Sequence, residues 1–91
     1  MRVTVRYLAQ LRQAAGCTAE TIDLDAPCSP QELLLRLADR HGDGFRQLLL
    51  DRGQPQPSLL LFVGEEQVRG DASRQLRDGD EVLILSPMAG G

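Results

Sequence analysis

The chain carries one long, well-marked helix, and its other strongly periodic segments are strands. Ser29 can cap the helix start, and Pro30 fits the first helical position. Glu32 stands three residues after Ser29 and completes a capping box. Leu33, Leu34, Leu37 and Ala38 then fall on one apolar stripe at helical spacing. The pattern stops at His41-Gly42, where Gly42 suits a left-handed terminating turn. With 91 residues, there is room for one compact domain and no second. So small a domain buries a modest share of its surface, so the helix must cover a sheet to make a core. Aliphatic side chains must fill that core, because Tyr7, Phe45 and Phe62 are the only aromatic residues.

Strand patterns lie on both sides of the helix. Residues 2–9 place Val3, Val5 and Tyr7 on one face and Thr4 and Arg6 on the other. Residues 10–18, with Gln, Arg, Gly16 and Thr18, suit a turn or loop. Residues 19–24 alternate again, with Ile22 and Leu24 opposed to Thr21 and Asp23, so the first two strands predict a hairpin. Beyond Gly42, residues 45–50 suit a second short helix and 53–57 a loop rich in Pro and Gln. Residues 58–63 form a nearly continuous apolar run, the pattern of an inner strand. Gly64-Glu65-Glu66 reads as a turn, 67–69 as a short edge strand, Asp78-Gly79-Asp80 as a tight turn, and 81–85 as the last strand. This order predicts an α+β domain of the ubiquitin-like β-grasp type. A mixed sheet of four to five strands would pack on one main helix, with the first and last strands parallel at its centre. A ferredoxin-like domain would need a second long helix, which the chain lacks. The domain is expected over 1–85, followed by a flexible C-terminal tail, 86–91, ending in Gly-Gly.

Composition narrows the partners. The hydrophobic fraction of 42% and charged fraction of 25% suit a soluble globular domain. A net charge of −3 argues against nucleic acid, which wants a concentrated positive face. The alternating start, Met1 to Arg6, is not the apolar run of a signal peptide, and no segment approaches membrane-spanning length. The expected setting is the cytoplasm, with no membrane partner. Cys17 and Cys28 form no CxxC pair or Cys/His cluster, so they read as free thiols rather than zinc ligands or a redox pair. All ten basic residues are arginine. A GC-rich coding sequence accounts for that. A second reading is protection of an activated C-terminus against self-acylation. Under either reading the N-terminus is the expected sole primary amine, which excludes chains linked through this protein's own lysines.

No conventional active site emerges from the motifs. His41 lies at the expected helix end, where a cationic or polar group suits the helix dipole. Ser29 is explained by capping. No GxSxG, P-loop or HExxH pattern occurs. Asp78, Asp80 and Glu81 lack the ligand spacing of an EF-hand and read as a solvated turn. No metal site and no bound cofactor are expected.

The tail is different. The segment Leu76-Arg77-Asp78-Gly79-Asp80-Glu81-Val82, then Leu83 to Leu85 and Ser86-Pro87-Met88-Ala89-Gly90-Gly91, resembles the C-terminal signature of the MoaD/ThiS family of sulfur carriers. Tyr7-Leu8-Ala9-Gln10-Leu11-Arg12 with Gly16 is similar to the start of molybdopterin synthase small subunits in that family. Two features depart from the common pattern. Gly64 stands where many members carry asparagine, and the tail reads Ser-Pro-Met in place of Pro-Pro-Val. Phe62 to Arg69 also resembles carriers that feed cysteine biosynthesis. The resemblance implies that Gly91 is adenylated by an E1-like adenylyltransferase using ATP, then thiocarboxylated. Gly90, Ala89, Met88 and Pro87 would enter a partner's pocket. The acceptor would be the molybdopterin synthase large subunit or another sulfur-accepting enzyme, serving molybdenum cofactor, cysteine, thiamine or secondary-metabolite synthesis. The carrier would be no enzyme on its own. The alternatives of other classes are a ubiquitin-like modifier joined to lysines and a binding module with an inert tail. The chemistry fits the residue types: glycines lacking Cβ can thread a narrow channel, and Pro87 stiffens the exit from the last strand.

Alternation also predicts a docking face. If Val82 and Ile84 face the helix, Leu83 and Leu85 face away. Leu8, Leu60 and Phe62 turn outward by the same argument. Leu8, Leu60, Phe62 and Leu85 are therefore expected to form an apolar patch beside the tail, of the kind that often marks a partner site, unless a loop or the second short helix covers it.

Overall fold

The computed structural model describes residues 1–70 and 72–86. The chain starts in β1 (Arg2–Leu8), whose Val3, Val5 and Tyr7 are buried. The stretch expected as a loop then contains α1 (Gln10–Ala15), a short helix that ends at Gly16. Its burial of Leu11 supplies the packing that holds it. Six residues cannot display a helical period, and isolated helices so short are unstable without tertiary contacts. β2 (Ala19–Asp23) returns antiparallel to β1, with Arg2 opposite Asp23 and Arg6 opposite Ala19.

The main helix, α2 (Pro30–His41), begins with the capping box its sequence encodes. The Glu32 amide donates to Ser29 Oγ at 3.2 Å, and the Ser29 amide donates to Glu32 Oε1 at 3.3 Å. Leu33, Leu34, Leu37 and Ala38 are all buried against the sheet. Each such leucine contributes about 1.5–3 kcal/mol by leaving water. Gly42 ends the helix at φ 91°, a conformation that side chains with a Cβ disfavour. It also opens α3 (Asp43–Leu49), the second short helix, which places Phe45 and Leu49 in the core. Leu50, expected as the last residue of that helix, instead begins β3 (Leu50–Asp51), which pairs with β4 (Gln54–Pro55) inside the expected loop over 53–57. Two-residue strands carry no alternation, so no pattern announces them.

Next come β5 (Leu60–Val63), β6 (Glu66–Val68) and β7 (Glu81–Leu85). The five-stranded sheet runs β2-β1-β7-β5-β6. β1 and β7 are parallel, and the other pairings are antiparallel. The first and last strands thus lie side by side within the sheet, and the three helices cover its buried face. β5 is an inner strand, as its apolar run predicts. Ser86, expected as the first tail residue, is instead buried. Pro87, Met88, Ala89, Gly90 and Gly91 lie outside the described residues.

A polar cluster ties the hairpin to the end of α2. Glu20 accepts from Tyr7 Oη at 2.5 Å and from Arg40 Nε at 2.6 Å, and it bonds His41 Nε2. Phe45 packs edge-on against Tyr7, with ring centroids 5.3 Å apart, a favourable aromatic geometry. Burial alone would raise the Glu20 carboxyl. The hydrogen bonds from Tyr7, His41 and Arg40 outweigh it and hold the group below the usual carboxylate value. Tyr7 moves the other way, well above the usual phenol value, through burial and its bond to a carboxylate. His41 ends the helix as expected, and it also joins this cluster.

Candidate functional site

The open face of the sheet is built by strand register. Leu8 pairs with Leu85, and Leu85 with Leu60, so three leucines form one row across β1, β7 and β5. The next row runs Arg6, Leu83, Phe62 and Gln67 across β1, β7, β5 and β6. Paired residues share a face, so the four expected patch residues do come together. Leu83 joins them at the centre. Alternation turns it outward too, although the expected patch does not include it. Leu8 is 38% exposed, and Leu60, Phe62, Leu83 and Leu85 are half-buried. α3 cannot cover this patch, because its Phe45 packs under Tyr7 on the opposite face of the sheet. Arg6 and Glu81 pair at 3.2 Å along the same face, an exposed ion pair contributing at most about 1 kcal/mol.

The Asp-Gly-Asp turn fixes β7 in this position. Asp80 Oδ2 accepts from the Arg77 amide at 2.8 Å, and the Asp80 amide donates to the Arg77 carbonyl at 3.0 Å. The Arg2 amide donates to Asp78 Oδ1 at 2.7 Å, and the Gly79 amide donates to the Arg2 carbonyl at 2.8 Å. Both aspartates therefore accept from main-chain donors: Asp78 ties the turn to the start of β1, and Asp80 closes the turn itself on Arg77. That is a structural use of the acids, in keeping with the turn their spacing suggested. It sets the parallel register that puts Leu85 between Leu8 and Leu60.

Among the described residues, no group of three or more His, Cys, Asp and Glu side chains is placed to hold a metal ion. Cys17 and Cys28 are free. Burial, and then Glu20 near one thiol and Glu32 near the other, push both above the usual thiol value. Reactive cysteines are shifted the other way. Among the described residues, no helix is long and apolar enough to cross a membrane. The described domain thus presents an apolar sheet face beside the end of β7.

A mixed five-stranded sheet with parallel β1 and β7, packed under α2, makes this a ubiquitin-like β-grasp domain of α+β class. The chain belongs to the ThiS family, whose model matches residues 5–91. It is 30% identical, over the full length of both chains, to the molybdopterin synthase sulfur carrier subunit of Chlamydomonas reinhardtii. It is 27% identical over 67 residues to ubiquitin-related modifier 1 of Laccaria bicolor, covering 71% of this chain and 55% of that protein. Among solved structures, SAMP1 from Haloferax volcanii superposes with a TM-score of 0.83 at 20% identity, covering all of both chains. A putative molybdopterin converting factor subunit 1 from Pyrococcus furiosus gives 0.76 at 27% identity, covering 97% of this chain and 99% of that one. The chain is therefore a member of the ubiquitin-like sulfur carrier family.

Proposed function

We propose that this protein carries sulfur on Gly91 as a thiocarboxylate, most specifically as the small subunit of a molybdopterin synthase. A carboxylate is a poor electrophile. An E1-like adenylyltransferase would join it to the α-phosphate of ATP, releasing pyrophosphate. A sulfur nucleophile would then attack the acyl carbon and expel AMP, leaving sulfur in place of one oxygen. The domain itself needs no bound cofactor for this, and the catalytic side chains belong to its partners.

The observation that carries the reading is the exit of β7. This strand lies within the sheet, lines the open apolar face with Leu83 and Leu85, and leads through Ser86 into Pro87-Met88-Ala89-Gly90-Gly91. A partner seated on Leu8, Leu60, Phe62, Leu83 and Leu85 would sit at the end of β7, from which the sequence runs on to Gly91. The full-length similarity to a sulfur carrier subunit supports the same reading and favours the molybdopterin synthase large subunit as acceptor. Carriers for cysteine, thiamine or secondary metabolites share the chemistry and differ in the acceptor. A second reading, conjugation to lysines of other proteins, is favoured by the similarity to ubiquitin-related modifier 1.

Intact mass spectrometry of protein isolated from its host tests this. The expected species has one oxygen replaced by sulfur at Gly91. Isopeptides between Gly91 and lysines of other proteins, with no thiocarboxylate, would instead establish the modifier. Neither product, with activating enzyme and ATP supplied, would refute both.

A further inference from the structure

The opposite side of the sheet carries a second surface. Among the described residues, β2 is an edge strand, bonded only to β1. The phase of its ladder follows from the ends of the hairpin. Met1 and Leu24 exchange hydrogen bonds, each at 2.8 Å, and the Tyr7 amide donates to the Thr18 carbonyl at 2.9 Å. In an antiparallel pair, bonded positions alternate. Residues 18, 20, 22 and 24 thus turn their main-chain groups toward β1. Ala19, Thr21 and Asp23 turn theirs outward, to an edge that no other strand of the described residues covers. Such an edge is a template for another strand.

A groove of about 580 Å³ runs between this edge and α2. Buried Ile22 and Leu37 make its floor, and Arg36 and Arg40 stand on its helical wall. The acids at the groove are already partnered: Asp23 pairs with Arg2 at 2.9 Å, and Asp39 with Arg46 at 3.0 Å. Arg36 is exposed and forms no ion pair among the described residues. Arg40 pairs with Glu20, yet its side chain is still 57% exposed. The unspent charge of the groove is therefore positive. Arg36 and Arg40 are one helical turn apart, about 6 Å along the axis. Alternate side chains of a strand repeat at about 6.7 Å. One strand can thus offer a carboxylate to each arginine from the same face.

We propose that this groove binds an extended acidic segment of a partner protein, which adds to the sheet as a sixth strand beside β2. Main-chain bonds to Thr21 and Asp23 supply the pairing, and carboxylates facing Arg36 and Arg40 select the sequence. An apolar side chain on the same face packs on Ile22 and Leu37. The site shares no residue with the apolar patch of Leu8, Leu60, Phe62, Leu83 and Leu85, and β1 separates β2 from β7. A protein held here would leave Leu83 and Leu85 uncovered, so a carrier could be recruited by one partner while serving another.

The test is an amide-resolved NMR titration of the full chain with the capped peptide Val-Thr-Glu-Thr-Glu-Thr-Val. Saturable shifts confined to β2 and the 36–40 stretch of α2 are expected. Arg36→Glu should weaken binding at least tenfold, and the peptide with glutamine for glutamate should weaken it comparably. Thr21→Pro removes an outward amide and leaves the ladder to β1 intact, so it should abolish binding with the rest of the spectrum unchanged. If that variant does not fold, Arg36→Glu, an exposed substitution, still decides. The proposal is overturned by the absence of shifts at millimolar peptide, by shifts centred on Leu83, or by unchanged affinity of Arg36→Glu. Concentration-dependent shifts along β2 without peptide would also overturn it, by making a second copy of the chain the occupant.

Discussion

Replacing Glu20 with alanine should cost far more than its position on an edge strand suggests. Its carboxylate accepts from Tyr7 and Arg40 and bonds His41, and its side chain is only 12% exposed. Removal strands the Tyr7 hydroxyl, whose residue is 1% exposed. An unpaired buried hydroxyl costs about 1–3 kcal/mol. The bond to Arg40 is exposed on the arginine side and adds at most about 1 kcal/mol. The expected loss at pH 7 is about 1–4 kcal/mol, taken from these ranges. Urea unfolding followed by near-ultraviolet circular dichroism would measure it, because Tyr7 is the only tyrosine and the chain has no tryptophan. The acid dependence has a definite sign. The folded Glu20 carboxyl lies below its ordinary value, so its contribution is complete above the unfolded value of about 4.3. It fades as pH falls through the depressed folded value. Glu20→Gln should therefore differ most from the parent at neutral pH and converge on it in acid. A constant difference across that range, or a loss below about 0.5 kcal/mol for Glu20→Ala, would refute the assignment of Glu20 as the ionised hub of the cluster.

Three further outcomes follow from particular residues. Ala9 holds φ 54° and ψ −123°, a conformation natural to glycine, so Ala9→Gly should stabilise the domain by about 1 kcal/mol, strain relief exceeding the entropy cost, as a rise in melting temperature. A Cβ at Gly70 would meet Pro55 Cβ at 2.6 Å, so Gly70→Ala should lose about 1–3 kcal/mol in denaturant titrations. Leu83→Asp should leave melting within a few degrees of the parent, because the side chain is half-buried on the open face, yet abolish partner binding in calorimetry.

What the sequence revealed depended on how local each signal was. α2 was legible because Ser29, Pro30 and Glu32 mark its start and four apolar residues share one stripe. β1, β2 and β7 were legible because alternation over five residues or more fixes a face. The outward turn of Leu8, Leu60, Phe62 and Leu85 followed from the same alternation, and strand register then added Leu83. α1 was missed because only Leu11 is buried in it, and no period can be read from one residue. The hub at Glu20 was missed for another reason: residues 7, 20, 40 and 41 meet through tertiary packing, and no pattern along the chain relates them. The groove beside β2 was hidden likewise, since it exists only once an edge strand and a helix are brought together.

The parallel pairing of β1 with β7 has a consequence for how the protein is made. β7 leaves the ribosome after every other strand, yet it is flanked on both sides within the sheet. Without it, β1 and β5 have no neighbour to join them, and the hairpin and α2 cannot close one core. Pairing so distant in sequence is also slow to form, because the loop it closes spans nearly the whole chain. Translation must therefore pass Leu85 before β1 and β5 can be joined in one sheet. An enzyme that recognises the joined sheet would then engage only chains in which β7 has already been made, which would make the fold itself a check on synthesis.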